Sequence, residues 1–192
     1  MEQAGRYGFG EEADAEENAD GTFRMLYRTP EGFDDLVIVS DGDAVTGVFF
    51  NGSKGSEAGC PSDAPRRKSL CGRAIFRDIA VWLDVFFSGR QPDFAPAWRT
   101  PGLTPFQLRV QKAMLAIPWG ETRTYGDIAA EIARERGVPR MSAQAVGQAV
   151  GRNPLCLVVP CHRVVGAGGR LVGYGGGIEN KKSLLRLEGR AG

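Results

Sequence analysis

Pro160-Cys161-His162-Arg163-Val164-Val165, preceded by the apolar run Leu155-Cys156-Leu157-Val158-Val159, is the stretch around which the rest of the chain is organised. Consecutive apolar residues between Pro154 and Pro160 read as a buried strand, which places Cys161 where a strand hands over to a turn and fixes the direction of its side chain. The thiol is followed at once by the only histidine in the chain. A thiol becomes a good nucleophile when a neighbouring base or positive group favours its thiolate. For an isolated Cys-His dipeptide the plainer reading is a buried structural cysteine beside a capping histidine, so the surrounding residues decide.

Upstream of this stretch the chain reads as helices. Thr104-Pro105 is a good N-cap and first-turn pair, and Phe106, Val110, Ala113, Met114 and Ile117 form the apolar stripe of a helix stopped by Pro118. Residues 119–125 lead into a second helix with Ile128, Ala129, Ile132 and Ala133 inward, broken by Gly137-Val138-Pro139-Arg140. Ser142 can cap a third helix from Ala143 to about Val150, small on every side and carrying Gly147. Two short helices joined by a Gly/Pro turn are consistent with a helix-turn-helix, although any helical hairpin shows the same pattern. Downstream, 166–169 and 173–177 are glycine-rich loops without the Gly-Lys-Ser/Thr ending of a phosphate cradle, and 180–187 is a short amphipathic helix ending at Glu188-Gly189.

The first half has a different character. Residues 1–20 hold seven acidic residues against Arg6 and almost nothing large and apolar, so disorder is expected. Three short runs, 22–27, 36–40 and 44–50, are rich in Val, Phe and Thr, and Asp41-Gly42-Asp43 between the last two is a hairpin signal. The polar stretch 51–68 reads as a loop. Within 69–87, Ile75, Ile79, Trp82, Leu83 and Phe86 fall on one face of a helix that could cover the sheet. The Pro-rich stretch 91–103 then reads as a linker. The expected architecture is α+β: a disordered tail over 1–20, a small sheet-plus-helix domain over 21–90, a linker over 91–103 and a mainly helical, winged-helix-like domain over 104–192.

The net charge of +1 hides an asymmetry. Residues 1–99 balance to −6 and residues 100–192 to +7, which is how a phosphate-binding surface on one domain would look, or simply an uneven solvated surface. No window approaches the length of a membrane span, and the acidic N-terminus is the opposite of a signal peptide, so a cytoplasmic protein without membrane contact is expected. Four cysteines (Cys60, Cys71, Cys156, Cys161) in such a chain argue for reduced thiols, and one histidine without a Cys-x-x-Cys pair argues against a zinc site.

The hexapeptide and the chain from about Thr104 to Gly189 resemble the O6-alkylguanine-DNA alkyltransferases, also called methylated-DNA-protein-cysteine methyltransferases. The resemblance implies a monomeric repair protein for duplex DNA carrying O6-alkylguanine, acting without cofactor or metal. It makes Cys161 the alkyl acceptor, with His162 and Glu188 as its partners and Tyr125 as donor to the guanine. It further implies that Asn153 supports the turn before the active site and that Tyr174 walls the base pocket. The main chain at Cys161 and Val164 would read the guanine amino group, and the amide near Gly175 the O6 atom. At Gly175 the family often has serine, so here an amide is kept and a hydroxyl lost. The second helix of the pair would enter the minor groove, with Ser142, Gln144, Ala145, Gly147 and Arg152 along the DNA; small residues suit a narrow groove. Gln144 departs from the arginine that many members insert into the base stack.

The implied mechanism is direct displacement, in which His162, oriented by Glu188, draws a proton from Cys161 through a water and the thiolate takes the alkyl carbon as guanine departs. A thioether offers water no carbonyl to attack, so the protein is expected to react once. Two rival readings belong to other classes. A non-catalytic alkyltransferase-like lesion-binding protein carries tryptophan in place of the thiol, which Cys161 speaks against; a cysteine hydrolase using Cys161, His162 and Glu188 would turn over repeatedly.

Overall fold

In the computed structural model, which describes residues 16–17, 21–53, 67–68 and 73–189, the chain divides between Thr100 and Pro101. The first unit is an antiparallel sheet with one helix. Its strands are β1 (Glu16–Glu17), β2 (Phe23–Tyr27), β3 (Leu36–Ser40), β4 (Val45–Phe50) and β5 (Arg67–Lys68), in the order β4-β3-β2-β1-β5. Burial alternates along β2, where Phe23, Met25 and Tyr27 are inside and Leu26 is exposed, while the central β3 is buried throughout. Helix α1 (Arg73–Phe87) lays Ile75, Ile79, Trp82, Leu83 and Phe86 on the sheet, all buried as the periodicity predicts, and Tyr27 Oη donates to Asp84 Oδ1 across 2.7 Å.

Three sequence expectations meet the described residues only in part. Of the stretch 1–20 expected to be disordered, Glu16 and Glu17 form β1, and the remainder lies outside the described residues. Arg67 and Lys68, at the end of the expected polar loop, form β5 against β1. Within the expected linker over 91–103, Ala97 and Arg99 pair with the first unit: Val45 N donates to Ala97 O across 2.8 Å, and Arg99 N donates to Val45 O across 3.0 Å.

The second unit is built from α2 (Pro105–Leu115), α3 (Tyr125–Glu135), α4 (Ala143–Val150) and α5 (Ile178–Leu187), with β6 (Arg123–Thr124) and β7 (Val164–Val165) paired in parallel. Capping residues set the helix starts. Thr104 with Gln107, and Thr124 with Asp127, form reciprocal capping boxes, and Ser142 Oγ accepts from Ala145 N. Of the first expected stripe Val110, Ala113, Met114 and Ile117 are buried and Phe106 is half-buried, the second stripe Ile128, Ala129, Ile132, Ala133 is buried throughout, and α4 packs on both α2 and α3. The α3–α4 pair is the predicted helix-turn-helix, so the fold is α+β as read. No helix among the described residues is long and apolar enough to cross a membrane.

Candidate active site

The run 155–159 is buried as expected, but it is a turn and not a strand. Leu157 takes a left-handed backbone (φ 68°), a conformation that costs a branched residue free energy and has to be held by its surroundings. Asn153 does the holding. Its Nδ2 donates to Leu155 O (3.2 Å) and Val159 O (3.1 Å), while its Oδ1 accepts from Leu155 N (3.2 Å). The amide side chain supplies bonds that a neighbouring strand would otherwise provide, which is how Asn competes with regular structure. The chain leaves this turn as a single 3-10 turn over Cys161–Arg163 and enters β7. Because β7 pairs with β6, which runs straight into α3, Cys161 and the first residue of α3, Tyr125, come to one place.

Next to the thiol in the chain lies a buried cluster of charged and polar side chains. His162 is fully buried, and its Nε2 is 2.9 Å from Glu188 Oε1. The same carboxylate accepts from Arg163, through Nη2 to Oε1 at 2.8 Å and Nε to Oε2 at 2.9 Å, and from Gly120 N at 3.4 Å. Arg163 Nη1 also donates to Ile117 O, and its guanidinium lies over the Trp119 ring. Gly120 is required twice over: its φ is +74°, and a Cβ there would meet Glu188 O at 2.9 Å. Against the cost of burial, the hydrogen bonds and charges of His162 and Arg163 hold the Glu188 carboxyl down from 4.5 to about 2. The sequence named Glu188 but left Arg163 without a part; the structure makes it the carboxylate's main partner.

Cys161 opens onto a pocket of about 730 Å³ whose lining also includes Tyr125, Gln144, Gly147, Asn153, Tyr174 and Gly175. Its thiol is pulled down from 9.0 to about 6, first by a hydrogen bond from the Cys156 thiol and then by the charge of His162 and by Asn153 and Tyr174, with burial opposing. Tyr174 Oη is 3.8 Å from Cys161 Sγ. Tyr125 Oη donates to Val172 O at 3.3 Å, and its ring faces Gly147, whose missing side chain leaves room there. Gly175 has ordinary space for a Cβ, 3.8 Å from Gly151 O.

Several expected residues lie off the pocket wall. Val164 is fully buried; its N–H donates to Cys161 O and its carbonyl accepts from Lys181 Nζ at 2.6 Å. Ser142 and Arg152 are exposed at the two ends of α4, and Ala145 is half-buried on the helix between them. Lys181 was not singled out by the sequence, where it reads as one of two lysines on an amphipathic helix. It is fully buried, with its Nζ 6.0 Å from the centre of the Tyr125 ring and 5.7 Å from that of Tyr174. Burial lowers it from 10.5 to about 8, and the nearby Cys161 charge acts the other way.

Residues 105–190 match the model of the family described as 6-O-methylguanine DNA methyltransferase, DNA binding domain. The methylated-DNA--protein-cysteine methyltransferase of Mycobacterium leprae is 49% identical over 113 residues, a match spanning 59% of this chain and 65% of the relative, just under two thirds of its length. That of Methanosarcina barkeri is 41% identical over 140 residues, 73% of this chain and 80% of the relative. Among solved structures, Mycobacterium tuberculosis OGT in complex with DNA superposes with a TM-score of 0.63 and 38% identity, covering 80% of this chain and 86% of that one.

Proposed function

The chain belongs to the 6-O-methylguanine DNA methyltransferase family, and from that premise we propose that it repairs duplex DNA by moving the alkyl group of O6-alkylguanine onto its own Cys161, once per molecule. The observation that carries this reading is the buried Cys161 thiol opening onto the pocket, backed by the buried contacts among His162, Glu188 and Arg163.

The substrate atom is inside a base pair, so the nucleotide has to leave the stack to reach the thiol. Once it is in the pocket, His162, held by Glu188, takes the Cys161 proton through a water. The sulfur forms a bond to the alkyl carbon, the carbon–O6 bond breaks, and its electron pair stays with the guanine. Tyr125 donates a hydrogen bond to the departing base, and the Cys161 proton returns to it, so thiol plus alkylguanine become thioether plus guanine. Tyr174 walls the base, and the Gly175 amide faces O6. Cytoplasmic, monomeric action follows the same reading.

Intact-mass measurement after incubation with methylated duplex decides the matter. One permanent methyl gain supports the proposal, no gain makes the protein a lesion binder, and turnover of an ester without a stable adduct makes it a hydrolase.

Binding to undamaged duplex should weaken with salt in proportion to the phosphates contacted. Arg152→Ala, at the end of α4, should flatten the log–log slope by about one. A slope near zero in the wild type would count against the basic unit as the DNA surface.

Gln144 is exposed, second in α4, and on the rim of the pocket. It can fill the gap left by a flipped base and hydrogen-bond the orphaned cytosine, without the charge or flat face of a guanidinium. Gln144→Ala should slow transfer from duplex several-fold, Gln144→Arg should leave it equal or faster, and neither should alter reaction with the free alkylated base. Equal damage to the free-base reaction would make Gln144 a pocket support and not a wedge.

A further inference from the structure

Helix α4 has two unlike faces. Val146, Ala149 and Val150 are buried where the helix packs on α2 and α3, while Gln144, Gly147, Gln148 and, just past the helix end, Gly151 line the Cys161 pocket. Spacings of three and four residues put these four on one side of the helix. Its two long side chains are Gln144 and Gln148, both exposed and one turn apart. Cations stand at the ends of this side and not on it: Arg140 lies before the Ser142 cap and Arg152 after the last turn, both exposed. That division suits a duplex, where cations hold phosphates and neutral amides read base edges. Gln144 has the gap left by the flipped base to fill, whereas Gln148 has no part in the transfer step. We propose that Gln148 is a specificity-determining residue, whose amide reads the minor-groove edge of a base pair roughly one to two steps from the lesion and favours G·C there.

The reach follows from helix geometry. Four residues rise about 6 Å and successive base pairs lie about 3.4 Å apart, so with Gln144 at the lesion the Gln148 amide falls roughly one to two pairs away. The groove follows from what lies between and beside the amides. Gly147 and Gly151 carry no Cβ, so the α4 backbone can come close to the DNA, as a groove only about 6 Å wide requires. In that groove every base pair offers acceptors, and guanine alone adds a donor, its N2 amino group. A glutamine carries an acceptor and a donor side by side on one planar amide. Oε1 therefore accepts from guanine N2 while Nε2 donates to guanine N3. Against A·T the same amide finds only acceptors, and its Oε1 is left without a donor.

This inference rests on the reading of the pocket as the site of transfer from duplex DNA, and the experiment separates the two. Single-turnover methyl transfer at sub-saturating duplex, and binding of the same duplexes, are measured for the wild type, Gln148→Ala and Gln144→Ala. Each G·C pair within two steps of the O6-methylguanine is replaced in turn by I·C, which removes only the N2 amino group. At one of these positions the wild type should bind and react about tenfold less well with I·C, the size of a good base contact, and Gln148→Ala should not distinguish the two pairs. Gln144→Ala should keep the discrimination. An I·C pair is also weaker, but this changes the cost of flipping alike in all three proteins, so their ratio isolates the side chain. Alanine at an exposed helix position is a good helix former and preserves the fold.

Equal G·C to I·C ratios in the wild type and Gln148→Ala at every position overturn the proposal, as does a discrimination that only Gln144→Ala removes. A wild type that takes no methyl yet discriminates in binding through Gln148 refutes the transfer reading and leaves the base reading standing. Methyl uptake without discrimination does the reverse.

Discussion

Cys161→Ser should take up no methyl group from alkylated duplex while binding that duplex as tightly as the wild type. Cys161 is 3% exposed, so it cannot reach the phosphates that supply most of the affinity, and serine removes no contact to them. The chemistry is lost because the surroundings act on a thiol. Cys156, His162, Asn153 and Tyr174 lower a thiol to about 6, within reach of neutral pH. The same neighbours leave an alkoxide far out of reach, and sulfur is the better nucleophile toward saturated carbon. Folding should change by no more than about 1 kcal/mol, since the hydroxyl inherits polar partners in the same place. Single-turnover methyl incorporation with a parallel binding titration checks both halves. Transfer that survives in the serine variant, or a wild-type adduct found on Cys156, would remove Cys161 from the centre of the reaction.

Periodicity and capping made most of the architecture legible before any coordinates. The α1 stripe, the Thr104 and Thr124 starts and the α3–α4 pair are local patterns, and the structure keeps them. At 155–159 the sequence showed burial and not conformation, because an apolar run has no period to distinguish a strand from a buried turn. There a side chain two residues upstream, Asn153, took over the backbone bonding. Lys181 was missed for a different reason. A lysine on an amphipathic helix is solvated in most proteins, and only the packing of α5 against the turn at Cys161–Arg163 brings it under two tyrosine rings. Arg163 stands inside the hexapeptide with no role legible there, since its partners Glu188 and Ile117 are 25 and 46 residues away in the chain. Tertiary pairings at such separations leave no local mark.

Glu188→Gln should both slow transfer and lower the melting temperature, a larger effect than orientation of His162 alone would give. The carboxylate is fully buried and answers two groups at once, His162 and the guanidinium of Arg163. Glutamine keeps the shape but not the charge, leaving Arg163 buried beside a neutral amide; breaking a buried pair in this way costs about 3–5 kcal/mol. Linkage gives a similar size, because a carboxyl held at about 2 instead of 4.5 contributes on the order of 3 kcal/mol near neutral pH. The sign is set by the lowered value. The contribution is fully present above 4.5 and is lost as pH falls toward 2, so the wild type should lose its melting advantage over Glu188→Gln across that interval. Adding Arg163→Met to Glu188→Gln removes the stranded charge and should recover part of the melting temperature, though Ile117 O then lacks its donor. The transfer rate should stay low in the double variant, because His162 still has no anion beside it. A double variant that regained rate together with stability would make the ion pair a scaffold only, with no part in drawing the proton from Cys161.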